Sequence, residues 1–291
     1  DPTRQSEFAA SILAMEYEEI EPSFVEVDTD YRVVEFADGV ELYYAPNPLN
    51  DLFSFSINVE VGTEENEKLG LSAALMDVAG TQNLSNEELQ KEWYRKGSEF
   101  RFGSGENSST FSVSGLDEQF EDSLALMMEL IKTPSADEQT LEQLKGILLK
   151  SREDRKSSPP AIAQALYLYN RYGEESPMLE ALTEQEIVDT GLDELMSLPS
   201  NLLNYKQTIA YTGSLPLEDL VEVLRRHHEI ESELQDTPDF RFRTARQIDE
   251  TELMDVDQKT AQDQARMEFP DGENLSTIHT RRSRSTTHCR P

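Results

Sequence analysis

The run Leu52-Phe53-Ser54-Phe55-Ser56-Ile57-Asn58-Val59-Glu60-Val61 constrains this chain more than any other segment. Phe53, Phe55, Ile57, Val59 and Val61 alternate with Ser, Asn and Glu. Successive side chains of a strand point to opposite faces, so the run predicts a strand with one buried and one open face. The buried face needs a cover, and later segments supply one in helical period. Leu116, Phe120, Leu124, Met127, Met128 and Ile131 recur at helical spacing, with Asp117, Glu118 and Glu121 in the first turn, where the helix dipole favours negative charge.

The other elements follow from local signals. Arg32–Phe36 and Val40–Tyr44 flank Ala37-Asp38-Gly39 as a hairpin, and Pro46-Asn47-Pro48 ends it. Leu69–Val78 is a small apolar helical segment. Ser85–Glu88, Ser135–Glu138 and Thr183–Glu186 have capping-box spacing and each opens a helix. The first of these helices stops near Gly97, and the second follows Pro134 and runs to about Arg155. Phe100–Ser104 and Thr110–Ser114 read as paired strands. Pro159-Pro160 starts a helix, Thr208–Tyr211 is a returning strand, and Pro216 lies in the first turn of a last helix, Leu217–His227. Strands come in hairpins and helices in runs, which predicts an α+β fold with helices packed on one face of a mainly antiparallel sheet.

Four regions are expected. Residues 1–30 are an acidic entry linker, 31–230 an α+β domain, and 231–274 a linker with the start of a second, truncated domain. Residues 275–291 hold four Arg and no acid, and this abrupt switch predicts a disordered or non-native basic tail. The N-terminus, Asp1-Pro2-Thr3-Arg4, carries neither a Met nor a signal-peptide pattern, so the natural start is expected upstream and the chain is read as a piece of a larger protein.

Charge narrows the partners. The net charge is -32, from 58 acidic and 26 basic residues. Nucleic acid needs clustered Lys and Arg, so it is excluded as a partner, and an anionic membrane surface with it. No apolar run is long enough to span a bilayer. An acidic surface suits solubility and adaptation to high salt equally well, and attraction of a basic peptide is a further option.

No complete catalytic site is legible. The histidines are His227, His228, His279 and His288. His227 and His228 are adjacent, so on a helix they diverge by about 100° and do not share a metal, and a solvated helix end is expected instead. Gly103-Ser104-Gly105 reads as a hairpin tip rather than a nucleophile elbow. The single Cys289 makes no internal disulfide. Trp93 and Tyr94 are expected in the core or lining a groove, and Tyr167, Tyr169 and Tyr172 in helical core packing, with the lining of a peptide groove as the alternative.

Asn50–Phe55, Val61-Gly62-Thr63, Leu69-Gly70-Leu71-Ser72-Ala73, Gly80-Thr81, Ser85–Leu89, Gly97-Ser98, Ser114-Gly115-Leu116 and Tyr211-Thr212-Gly213 together resemble the insulinase/pitrilysin family of zinc metallopeptidases. The match is most similar to the third domain of long, single-chain bacterial members. It covers about residues 18 to 230 and continues faintly to about 270. The resemblance implies a mitochondrial-processing-peptidase-like α+β domain within a clamshell of two homologous halves.

In that family the active half carries His-x-x-Glu-His on a helix, where zinc binds and the Glu activates water. Here the matching helix lies between Gly70 and Gly80-Thr81 and is two residues shorter. Counting forward places Ala73, Met76 and Asp77 at the motif positions, and counting back places Leu71, Ala74 and Leu75 there. Neither register supplies a histidine. The resemblance therefore implies the non-catalytic half of a zinc-dependent endopeptidase, with no catalytic, cofactor-binding or metal residue in this chain. Zinc is expected in the catalytic half, which is the partner, either within the same polypeptide or as a separate subunit. Peptides are the substrate and an extracytoplasmic location is the compartment that the resemblance implies. A catalytically inert scaffold subunit of the same fold and an acidic, helical protein-binding module are the alternatives.

Overall fold

The computed structural model describes residues 6–15, 24–230, 233–247, 254, 256, 262–271 and 274–283. After helix α1 (Glu7–Leu13) come β1 (Arg32–Ala37), β2 (Val40–Pro46), β3 (Leu52–Val59), α2 (Leu69–Met76), β4 (Gly80–Thr81) and α3 (Asn86–Lys96). β5 (Glu99–Ser104), β6 (Ser109–Leu116), α4 (Phe120–Lys132), β7 (Pro134–Ser135), α5 (Glu138–Lys156) and α6 (Pro159–Tyr172) follow. Then come α7 (Glu184–Asp189), α8 (Leu192–Leu202), β8 (Gln207–Gly213) and α9 (Leu217–His227). A separate hairpin pairs β9 (Gln262–Asp271) with β10 (Asn274–Ser283).

The main sheet has six strands in the order β1-β2-β8-β3-β6-β5. Every neighbouring pair is antiparallel except β2 with β8. This is the α+β architecture expected from the pattern. Its centre was not legible, because β8 enters between β2 and β3. Tyr211 stands opposite Tyr44 on one side and Phe55 on the other, and Ile209 opposite Leu42 and Ile57. The chain turns from β2 to β3 around the end of β8. There Asn47 donates its backbone N–H to the Gly213 carbonyl at 2.9 Å and its side-chain amide to the Leu52 carbonyl at 2.8 Å.

Alternation does what β3 requires. Phe53, Phe55, Ile57 and Val59 are all buried, together with Leu42, Phe111, Val113, Ile209 and Tyr211 on the same sheet face. Leu89 and Trp93 of α3, Phe120, Leu124 and Met127 of α4, Leu202 of α8 and Leu220 and Leu224 of α9 cover that face. Phe120 meets Phe53 and Tyr211 edge-on, with ring centroids 5.1 and 4.9 Å apart, the geometry that the ring quadrupole favours. The opposite face carries Ser54, Ser56, Asn58, Thr110, Ser112, Ser114 and Thr212, all exposed or half-exposed. On it Thr110 donates to the Asn58 side-chain oxygen at 2.9 Å.

Helix α2 lies inside the helical layer. Leu69, Ala73 and Met76 belong to the main core, whereas Leu71 and Leu75 pack outward on Leu141 of α5 and Leu195 of α8. A helix apolar on all sides must be covered on all sides.

Two of the three expected capping boxes form, at Ser85 and Thr183. Gly97 closes α3 in the left-handed region, at φ 60. The third box does not form. Pro134 and Ser135 are taken up by β7, which pairs with β4, and Asp137 caps α5 by accepting from the Thr140 N–H at 2.7 Å. Two further expectations change, and one helix is added. Within the entry linker, Glu7–Leu13 is helical, with Ser6 as its cap. The segment expected to be a tail is a paired strand as far as Ser283, and residues 284–291 lie outside the described residues. Helix α8 was not anticipated, and Pro199 sits inside it.

These caps give a direct test. Ser85→Ala and Asp137→Ala are each expected to cost about 1 kcal/mol in urea unfolding, while Ser135→Ala stays within about 0.5 kcal/mol of the parent. Equal losses at Ser135 and Asp137 would contradict the assignment of the α5 cap.

Candidate functional site

Helix α2 occupies the place where the resemblance puts a zinc-binding motif, and its two registers have different surroundings. Ala73 and Met76 face the core, and Asp77 is an exposed residue just past the helix. In the other register Leu75 is fully buried, while Leu71 and Ala74 line, with Gly70, a cavity of about 650 Å³. The motif positions that line the cavity are thus Leu71 and Ala74, and of the rest Asp77 alone is exposed with an oxygen donor. Zinc needs three or four converging nitrogen, sulfur or oxygen donors, and a single carboxylate does not supply them, so the residues present do not fit a zinc ion. Among the described residues no group of three or more His, Cys, Asp or Glu is arranged to hold a metal.

The rest of the cavity is lined by both carboxylates and arginines. Glu64, Glu67, Glu106 and Glu180 line it beside Leu144 and Leu148 of α5, with Arg152, Arg241 and Arg243. Glu64 reaches it because residues 62–64 run against the tip of the β5–β6 hairpin. Thr63 donates its backbone N–H to the Gly105 carbonyl at 2.8 Å, and Glu64 donates to Glu106 at 2.9 Å. Gly62 permits this approach, since a Cβ there would stand 2.3 Å from the Glu106 carbonyl oxygen. The cleft joins carboxylates, faced by three arginines, to an apolar floor, and it lacks a nucleophile beside a base. Glu64, Glu106 and Glu180 are far apart in sequence, among 58 acidic residues, and no spacing rule singles them out.

The other candidate residues are mostly structural. Trp93 is buried and stacks on Phe100 at 6.0 Å, but Tyr94 is exposed. Helix α6 has no buried residue, so Tyr167, Tyr169 and Tyr172 do not form the expected core packing. Tyr169 and Tyr172 instead line a second cavity, of about 750 Å³, facing Thr244–Arg246. Gly103-Ser104-Gly105 is a hairpin tip, where the Ser104 hydroxyl accepts from Ser109 at 2.9 Å. His279 lies on β10, and His288 is outside the described residues.

The expected solvated histidine pair is half right. The His227 Nε2 is 3.1 Å from the Glu121 carboxylate. His228 is only 2% exposed, and its Nε2 stands 3.0 Å from the Gln207 side-chain oxygen. Burial, and secondarily the charge of Lys132, pulls the His228 pKa down to about 4.

Comparison with known proteins places the fold. No family model matches the sequence, and no curated protein matches it. Solved structures do, and the chain shares the fold of M16-like peptidases, an inactive M16 domain among them. The periplasmic protease PqqL from Escherichia coli superposes with a TM-score of 0.65 at 14% identity, over 91% of this chain and 32% of that one. The ferredoxin protease FusC, solved with Arabidopsis ferredoxin, gives 0.62 at 16% identity, over 80% and 28%. The peptidase M16 inactive domain from Pseudomonas fluorescens gives 0.57 at 17% identity, over 67% and 49%. The chain therefore spans from under a third to about half of the length of these proteins. Its six-stranded sheet removes the reading as a purely helical module. No helix among the described residues is long and apolar enough to cross a membrane.

Two predictions arise here. Gly62→Ala is expected to cost about 1–3 kcal/mol in urea unfolding, because backbone must move to admit the methyl group. For His228, the pKa is lower folded than unfolded, so its neutral form contributes fully above pH 6.5 and stability falls as the pH drops from about 6.5 towards about 4. The loss approaches about 3 kcal/mol, at about 1.4 kcal/mol per pKa unit. Urea midpoints of the parent and His228→Gln between pH 7 and 4 should converge as the pH falls, and parallel curves would refute the assignment.

Proposed function

We propose that this chain is part of the non-catalytic half of a zinc-dependent metalloendopeptidase and forms chamber wall opposite the active half. One observation carries this reading: helix α2, at the motif position, turns Leu71 and Ala74 to the cavity and buries Leu75 between helices. A helix that grips a metal must offer donors to open space, and this one offers hydrocarbon. The open sheet face supports the wall, because its small polar side chains suit an aqueous compartment. The coverage of PqqL and FusC supports a partial chain, with zinc and the catalytic residues in the other half. Peptides are then the substrate, and the description of PqqL as a periplasmic protease supports an extracytoplasmic site of action.

The purified chain, loaded with excess zinc and desalted, is expected to retain substoichiometric metal by mass spectrometry and to leave fluorogenic peptides intact. Chelator-sensitive hydrolysis by the pure chain would defeat the reading. The genomic frame supplies a second check: His-x-x-Glu-His in the same polypeptide or an adjacent gene is expected, and its absence from both would favour a scaffold subunit.

A further inference from the structure

Residues 238–246 run beside the cleft, contributing Arg241 and Arg243 to its lining, with their side chains in an unusual arrangement. Along an extended segment alternate residues face opposite ways. The Arg243 side chain is turned in and is 7% exposed, while Phe240 and Phe242 are turned out, 50% and 80% exposed, their rings 5.1 Å apart. This reverses the usual partition of charged and aromatic residues. A segment serving as a spacer gains nothing by burying guanidinium and exposing phenyl.

The contacts are those by which a protein reads a peptide. The Asn107 amide brackets the backbone of Arg241, accepting from its N–H at 2.9 Å and donating to its carbonyl at 3.1 Å. Glu64 accepts from both Arg241, at 2.7 Å, and Arg243. Glu180 accepts from Arg243 at 2.6 Å and from Arg241 at 3.2 Å, and the Glu175 carbonyl takes a further Arg243 N–H at 2.6 Å. Paired carboxylates facing a planar guanidinium give geometric selectivity as well as charge. The fit is incomplete: the Arg243 Nε is buried without a hydrogen bond, 3.5 Å from the Glu106 carboxylate. None of these contacts requires the occupant to be joined to the chain.

We propose that the cleft beside α2 is a binding site for an extended peptide bearing Arg-x-Arg, and that residues 238–246 fill it in cis as a removable latch. This inference stands independently of the peptidase reading. The tethered segment competes at an effective concentration in the millimolar range, so a free peptide meets a closed site in the parent chain.

The test is fluorescence anisotropy with a labelled synthetic peptide of residues 237–247. The Arg241→Ala/Arg243→Ala variant, checked for parental circular dichroism, is expected to bind it at least about tenfold more tightly than the parent. Adding Glu64→Gln, or replacing both peptide arginines by glutamine, should abolish the gain, and raising the salt should weaken binding. If the double variant fails to fold, Arg241→Gln serves instead, because the Arg241 side chain is 47% exposed, and it should show a gain of about threefold. Equal affinity of the parent and the folded variant, absence of binding to the folded variant, or indifference to the peptide arginines would each overturn the proposal.

Discussion

The insertion of β8 between β2 and β3 is the constraint on which the rest of the structure depends. Strands β2 and β3 are separated by five residues and do not pair with each other. Each instead satisfies its inner edge with a strand that arrives after all the helices from α2 to α8. Those helices form one long excursion whose ends meet in the middle of the sheet. The entropy of closing a loop grows slowly with its length, so the excursion is tolerable once Ile209 and Tyr211 are buried. The same topology makes the sheet a product of non-local contacts, which form later than local hairpins.

The legible and the hidden parts of the fold divide along this line. The β1–β2 and β5–β6 hairpins, the alternation of β3 and the boxes at Ser85 and Thr183 are written over a few residues each, and they appear where the pattern placed them. The position of β8 in the sheet depends on the long intervening stretch of residues 60–206, and alternation in Thr208–Tyr211 carries no record of its neighbours. The Ser135 box failed for a related reason, since a backbone already paired with β4 is not free to cap a helix. The cleft was illegible as well, because its carboxylates converge only after Gly62 lays one segment against the tip of a hairpin.

Helix α2 shows how the same position can be site or core. Burying a leucine contributes about 1.5–3 kcal/mol, whereas an unpaired polar group in that place costs about as much. With Leu71 and Leu75 packed on α5 and α8, the helix ties the sheet-facing layer to the outer helices. Metal donors at those positions would forgo this packing and would need a metal to offset their burial. The apolar side chains between Gly70 and Gly80 thus make α2 a helix that holds layers together.

The charge of the chain bears on the cleft in the same way. At net charge -32, three glutamates drawn to one place repel one another and are poorly screened where they leave water. Glu64 is 9% exposed as a side chain, so its ionised form demands a counter-charge close by. Arg241 and Arg243 meet that demand from a segment that the sequence marks as a linker. That segment is therefore part of the electrostatic balance of the domain.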